Sequence, residues 1–172
     1  MIIRATHKTL NVAGLKIPKE SPIECTEMPG EWTAGLVSLG KPGKMAVNYV
    51  HNITRISVII NGKSINKTNS QLTDKVCNFL TRFGYSNLIP LFELNTPIEI
   101  FGSANKSVLG HMNELRRNFD YQFDRFSTLD TLDFNKIEDL YFEYPFSVKS
   151  RGNGLFTTKQ ILEDSKLRSN FE

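Results

Sequence analysis

The amino-acid sequence predicts an α+β fold, in which an antiparallel β-meander of about four to five strands packs against three to four helices. Two observations lead to this class. Three strand-like runs lie within residues 32–60, and in the second of them Met45, Val47 and Tyr49 alternate with the residues between them. Turn dipeptides at Pro42-Gly43 and Asn61-Gly62 are typical of strands joined by short turns. From residue 72 the apolar spacing changes to the helical period of 3.6 residues. The 172 residues contain no repeat or linker, so we expect residues 1–172 to form one domain.

The predicted strands can be placed in chain order. A first strand is followed by a brief helix that ends at Gly14, a residue suited to the left-handed conformation that closes many helices. Residues 16–31 contain three prolines and are interpreted as an exposed loop. The predicted strands cover residues 2–6, 32–39, 45–50, 55–60 and 98–102.

Two long helices carry continuous apolar stripes. The first is predicted to begin with a capping box formed by Thr68 and Gln71 and to end at Gly84. The second is predicted to begin after Ser107, which fits the N-cap position. The two stripes comprise Leu72, Val76, Phe79 and Phe83, and then Val108, Met112, Leu115, Phe119, Phe123 and Phe126.

Two shorter helices are predicted near the C-terminus, at residues 133–141 and 157–167. Thr157 and Gln160 have the spacing of a second capping box, which fixes the start of the last helix. The segment between these helices, "EYPFSVKSRGNG", is interpreted as a loop.

Composition narrows the class of protein. The longest apolar runs have about five residues, far fewer than the roughly 18–20 that a membrane span needs. No signal-peptide pattern is present. Cys25 and Cys77 have no CxxC spacing, so we predict neither a disulfide framework nor a metal site, and Cys77 is interpreted as a small buried hydrophobe. Without a phosphate loop, nucleophile elbow or nucleotide fingerprint, no cofactor is predicted. We expect a cytoplasmic protein that does not bind membranes.

Positive charge is concentrated in the first part of the chain. Residues 1–70 hold nine Lys or Arg and four Asp or Glu, a difference of +5, whereas residues 71–172 hold twelve and fourteen, a difference of −2. Such a bias attracts anionic partners, although it is also common on a solvated face. The basic residues of the predicted turns are Lys41, Lys44, Arg55, Lys63 and Lys67.

The stretch "ANKSVLGHMNE", residues 104–114, groups polar side chains at the predicted start of the second long helix. The free N–H groups of a helix N-terminus, with Lys106 beside them, can hold an anion such as phosphate. Gly110 lowers helix propensity there, which makes sense if another backbone or a ligand must come close. His111 is predicted at the edge of the buried stripe as a hydrogen-bonded surface residue. Asn113 is predicted either to bind the backbone of a neighbouring strand or to face a ligand.

Several motifs resemble an uncharacterised family of small bacterial proteins, catalogued as a domain of unknown function and found in variable, often mobile-element, gene neighbourhoods. They are "IIRATHKTL", "GEWTAGLVSLGKPGKMAVNYVHNITRISVII", "NKSVLGHMNEL" and "LYFEYPFSVKSRGNGLFTTKQILE", which together span nearly the whole chain. The sequence has Lys106, His111 and Glu114 where the family usually has Arg, Ser and Asp. Any role that needs a bidentate guanidinium or a small hydroxyl group at these points is therefore in doubt.

The resemblance implies no activity, but it indicates which positions of the chain are candidates for a functional role. Recurring family residues are present here as Trp32, Asn48, Thr54, Lys106, Ser107, Gly110 and Asn113. Trp32 is interpreted as core, and Thr54 as part of the second turn. The candidate binding residues are Asn105, Lys106, Ser107, His111, Asn113, Asn48, Thr54 and Arg55.

Two functions are consistent with the sequence. The first is a non-enzymatic interaction module that binds a protein partner, in a mobile-element, phage-defence or toxin–antitoxin setting. A phenylalanine-rich region offers a candidate contact surface, although the same residues would more simply fill the core. This region comprises Phe119, Phe123, Phe126, Phe134, Phe142 and Phe146.

The alternative is a nucleic-acid-binding protein, or an RNase-like effector, that uses the basic turns and residues 105–113. Cleavage would need a general base, and His7, His51 and His111 are the only obvious choices near neutral pH. Nothing in the sequence brings the three together. The exposed aromatic residues that bind single strands by stacking are also lacking, with Tyr49 the one candidate.

Overall fold

A five-stranded sheet with helices on both faces forms the centre of the protein, in a computed structural model. The structure describes residues 1–16, 29–39, 43–102, 105–123, 133–147, 152 and 154–164. The α+β class predicted from the sequence is confirmed. No helix within these ranges is long and apolar enough to cross a membrane.

The sheet contains the predicted meander, extended by two parallel strands. Strands β2 (Glu31–Ser38), β3 (Met45–His51) and β4 (Ser57–Asn61) are antiparallel neighbours, as expected. Strand β1 (Ile2–Ala5) instead pairs in parallel with β2 and with β5 (Glu99–Phe101), so the sheet is mixed, in the order β4-β3-β2-β1-β5. Parallel pairing needs a crossover rather than a tight turn, and the chain between β1 and β2 includes a helix.

One face of the sheet is covered by the first helices. They are α1 (His7–Ala13), α2 (Ile65–Thr68) and α3 (Leu72–Arg82), with 3-10 turns at Asn69–Gln71 and Ser86–Phe92. Gly14 and Gly84 adopt positive φ angles of 69° and 78° just after α1 and α3, as predicted for helix ends. Trp32 is fully buried in this core, which confirms its interpretation.

Thr68 does not cap α3. Its hydroxyl group lies 2.7 Å from the Tyr49 hydroxyl and donates to the Ser64 carbonyl at 3.1 Å. A buried phenol needs such a partner, and burial raises the pKa of Tyr49 to about 12. The predicted capping box is therefore wrong, because Thr68 closes α2 and supports Tyr49 instead.

The other face is covered by α4 (Lys106–Phe123) and α5 (Phe134–Phe142). The Asp133 side chain accepts from the Asn135 N–H at the start of α5. The phenylalanine-rich region contributes to the interior, because Phe119, Phe142 and Phe146 are buried and Phe134 is half-buried. The three buried side chains therefore offer no exposed contact surface, and Phe134 offers only part of its ring. The side chains of Phe123 and Phe126 lie outside the described residues, as do residues 17–28 of the predicted loop and Lys41-Pro42 of the predicted turn.

The C-terminal part adds a small hairpin. Strands β6 (Phe146–Ser147) and β7 (Leu155–Phe156) pair where a loop was predicted. Helix α6 (Thr158–Glu163) then begins with the predicted capping box of Thr157 and Gln160. Two-residue strands are too short to show an alternating pattern in the sequence.

Candidate functional site

Asn105, rather than Ser107, caps helix α4. The Asn105 side-chain oxygen accepts from the N–H groups of Ser107 at 2.9 Å and Val108 at 3.4 Å. Ser107 therefore lies inside the first turn, and its predicted N-cap role is wrong. Because Asn105 already occupies two first-turn N–H groups, an anion at this end of α4 would depend on side chains more than on the backbone.

Arg55 is buried, not an exposed basic residue of a turn. It has a positive φ angle of 62° between β3 and β4, and its guanidinium donates to the Asn52 carbonyl and, at 3.2 Å, to the Ser107 hydroxyl oxygen. Its own carbonyl accepts from the Thr158 hydroxyl at 3.2 Å. Arg55 thus connects the β3–β4 turn to the first turns of α4 and α6.

Thr54 and His51 are buried and contact each other through a side-chain hydrogen bond. The His51 Nδ1 lies 2.8 Å from the Thr54 hydroxyl oxygen, and its Nε2 lies 2.6 Å from the Pro29 carbonyl oxygen, to which it donates. The imidazole also packs against Trp32 and Phe92. Burial lowers the pKa of His51 to about 3, the Pro29 hydrogen bond opposes this, and the Arg55 charge adds to it. Both residues are fully buried and form hydrogen bonds within the fold.

His111 is buried but unpartnered, whereas a hydrogen-bonded surface histidine was predicted. Only 5% of the residue is exposed, its ring packs against Phe146 at 4.3 Å, and neither ring nitrogen has a hydrogen-bond partner among the described residues. Burial, together with the Arg55 charge, lowers its pKa to about 3. The imidazole is therefore neutral at physiological pH.

A pocket of about 690 Å³ lies between α4 and the β6–β7 hairpin. We call it the α4 pocket. Its helix wall includes three of the predicted site residues, Lys106, Ser107 and His111, which the structure brings together. The described lining residues are Lys106, Ser107, Gly110, His111, Glu114, Tyr144, Pro145, Phe146, Ser147 and Leu155.

Gly110 lies at the middle of this wall and has open space beside it. Outside its own helix, a Cβ atom at Gly110 would meet no atom of the described residues within 4 Å, so no other described backbone approaches it. Of the two reasons for a glycine considered from the sequence, close approach of another backbone is not found among the described residues. Room for a ligand is the remaining one.

Because nothing contacts Gly110, Gly110→Ala is expected to raise the free energy of unfolding by about 1 kcal/mol, the helix-propensity difference between the two residues. Urea denaturation followed by circular dichroism measures the change. A destabilised variant would show that the space beside Gly110 is not open.

A second pocket, of about 130 Å³, holds the remaining predicted site residues, Asn48 and Asn113. We call it the α1–α4 pocket. Asn113 is exposed and forms no hydrogen bond with any described residue, so the predicted bond to a strand backbone is not found. The complete lining is Thr6, Lys8, Gly35, Leu36, Val37, Asn48, Leu109, Met112, Asn113 and Arg116, none of which lines the α4 pocket.

The basic turns do not form one surface. Lys44 and Lys63 are exposed where β3 begins and β4 ends, whereas Arg55 lies at the opposite end of β4. His7 is exposed at the start of α1, so the three histidines do not form a group. No cluster of three or more potential metal ligands occurs in the described part of the chain.

Sequence reasoning missed two groups of lining residues. Tyr144, Pro145 and Leu155 belong to a hairpin whose strands are too short to recognise. Lys8 and Arg116 looked like ordinary solvated charges, although Arg116 is one helical turn from Met112 and three residues from Asn113, a spacing that does predict a shared side of α4.

Comparison with known proteins bears on the family resemblance of the sequence motifs. No curated protein matches the chain. One family model matches residues 2–159, which include both pockets and the whole five-stranded sheet. The chain therefore belongs to the family described as a domain of unknown function (DUF6933).

Proposed function

We propose that this protein is a non-enzymatic interaction module that binds an extended segment of a partner protein in the α4 pocket. The observation that carries this proposal is the open space at Gly110, which is a helical position without a side chain, flanked on one wall by Lys106 and Glu114. A glycine costs helix stability here and relieves no crowding within the described protein. A bound chain would use the space.

The charges of the pocket support a peptide ligand. Lys106 and Glu114 are eight residues apart on α4, or about 12 Å at the helical rise. An extended chain spans that distance in about four residues. Lys106 forms no ion pair with a described residue, and Glu114 pairs only with exposed Arg117 at 3.0 Å, a weak interaction. The preferred segment thus has an acidic group near Lys106 and a basic group near Glu114.

The rest of the lining supports the same ligand class. Tyr144, Pro145 and Leu155 place apolar surface beside the charged wall, and Leu155 is 67% exposed. A pocket volume of about 690 Å³ is within the range of known ligand sites. Apolar surface with few polar groups is typical of sites that hold a ligand in one orientation.

Two observations favour binding over catalysis or nucleic-acid recognition. The His111 nitrogens are buried, and its lowered pKa makes it a weak base. Lys44 and Lys63 lie at the far end of β4 from the α4 pocket, so they do not join Lys106 in one basic surface for a phosphate backbone.

Phage display of random heptapeptides, selected on the wild-type protein and counter-selected on Gly110→Leu, tests the proposal. Leu is a good helix former at this exposed position, so the variant should fold and fill the pocket. We expect enriched peptides with acidic and basic residues two to four positions apart. Their affinity, measured by isothermal titration calorimetry, should fall at least about tenfold in Gly110→Leu, or about 1.4 kcal/mol.

The matched control is Lys67→Gln, which removes an exposed lysine outside the pocket and should leave affinity unchanged. If no peptide distinguishes the wild type from Gly110→Leu, the proposal is wrong. Fluorescence anisotropy with short RNA and DNA across salt concentration tests the alternative directly, and saturable binding that weakens with salt would support it instead.

A further inference from the structure

The α1–α4 pocket differs from the α4 pocket in charge. Two cationic side chains, Lys8 at the start of α1 and Arg116 in α4, belong to its lining, and no carboxylate of the described residues does. The α4 pocket, in contrast, combines Lys106 with Glu114. Two positive charges around a volume of about 130 Å³ favour a small anion over a peptide.

Asn48 supplies a buried polar group to this pocket. The residue is only 2% exposed, and its side-chain oxygen accepts from the Ser57 hydroxyl at 2.7 Å. No described residue accepts a hydrogen bond from its amide nitrogen, which leaves a donor for a ligand. A ligand oxygen in the pocket could accept a hydrogen bond from this amide nitrogen.

The pocket owes its inner wall to a close approach between strand and helix. Gly35 is the cross-strand neighbour of Asn48, and a Cβ atom at Gly35 would lie 2.7 Å from the Met112 Cε. The Met112 side chain therefore rests directly on β2. This contact places the adjacent α4 residues, Asn113 and Arg116, beside Asn48 at the pocket.

Arg116 is available to an anion. Its one ion pair among the described residues is with Asp120 at 4.0 Å, and both side chains are about half exposed. Such pairs contribute little to stability, so a ligand can compete for the guanidinium. A guanidinium can donate two parallel hydrogen bonds to one oxyanion.

We propose that Lys8, Arg116, Asn48 and Asn113 bind the phosphate group of a phosphate monoester. Its two negative charges match the two cations, and its terminal oxygens accept hydrogen bonds from the guanidinium, the ammonium group and the two amides. The site shares no lining residue with the α4 pocket, so it stands independently of the proposed function.

Titration with inorganic phosphate and with methyl phosphate, at constant ionic strength, tests this site by ¹H–¹⁵N NMR. We expect saturable shifts of the amides of residues 113, 116 and 48, with methyl phosphate binding about as well as inorganic phosphate. Acetate, with a single charge, should bind at least about tenfold more weakly. Arg116→Gln and Lys8→Gln should each weaken phosphate binding by about tenfold or more.

Arg117→Gln is the matched control, because Arg117 is an exposed cation on the same helix that lies outside this pocket. It should change phosphate affinity by less than about twofold. The same spectra show whether each variant is folded. Non-saturable shifts, or equal weakening by Arg117→Gln and Arg116→Gln, would indicate general charge screening and overturn the proposal.

Discussion

Acidification from pH 6.5 to pH 5 is expected to lower the free energy of unfolding by about 3 kcal/mol through two buried histidines alone. Burial lowers the pKa of both His51 and His111 from 6.5 to about 3. The unfolded chain takes up protons below pH 6.5, whereas the folded protein does not until about pH 3. Their contribution to stability is therefore complete above pH 6.5 and is lost as the pH falls.

Urea denaturation at a series of pH values measures this loss. His111→Phe keeps an aromatic ring against Phe146 and removes one of the two titrating groups, so it should remove about half of the pH dependence. The control is His7→Gln, which removes an exposed histidine at the start of α1 and leaves both buried imidazoles in place. Burial raises the pKa of Glu138, so as the pH falls the folded protein takes up this proton before the unfolded chain does. Acidification therefore increases the free energy of unfolding through Glu138, which opposes the effect of the two histidines. A flat profile between pH 6.5 and 5 would contradict the burial of the histidines.

Glu138→Ala is expected to lower the free energy of unfolding by about 3 kcal/mol. Strand β4 is an edge of the sheet, and one Glu138 oxygen accepts from the buried Ile59 N–H at 2.8 Å. The other oxygen accepts from Arg82 at 3.3 Å. The substitution leaves the strand N–H without a partner and removes one end of a partly buried ion pair.

Two variants separate these contributions when compared by urea denaturation. Glu138→Gln keeps an oxygen for the Ile59 N–H and should lose only about 1 kcal/mol. Asp139→Ala removes the other carboxylate that contacts Arg82, but this side chain is largely exposed and should cost less than about 0.5 kcal/mol. Equal losses for Glu138→Ala and Asp139→Ala would show that the edge hydrogen bond contributes little.

The meander and the long helices could be predicted because their signals are local. Alternation and turn dipeptides define β2, β3 and β4, and Gly84 marks the end of α3. The parallel pairing of β1 and β5 could not be predicted in this way. This pairing depends on how distant segments of the chain meet. The two strands have only four and three residues, too few for a residue pattern that indicates which strand each one pairs with.

The place of residues 105–113 in the fold could be predicted from the sequence, but their arrangement could not. Residues 105–113 do form the start of α4, and Lys106, Ser107 and His111 line one pocket. Burial of Arg55 was missed, because a turn arginine ordinarily faces solvent and only a structure reveals its contacts with α4 and α6. Gly110 and Asn113 lie three residues apart, a spacing that predicts a shared side of the helix, so their placement in two different pockets could not be predicted from the helical period.

The contacts of Arg55 also bear on the order in which the parts of the chain fold. Its hydrogen bonds reach Ser107 and Thr158, which are 52 and 103 positions away along the chain. Contacts between such distant residues require large loops to close and generally form late. During synthesis the meander is complete long before Thr158 leaves the ribosome. The wall of the α4 pocket should therefore reach its final geometry only as the last helix docks, so an unfinished chain would not yet engage a partner.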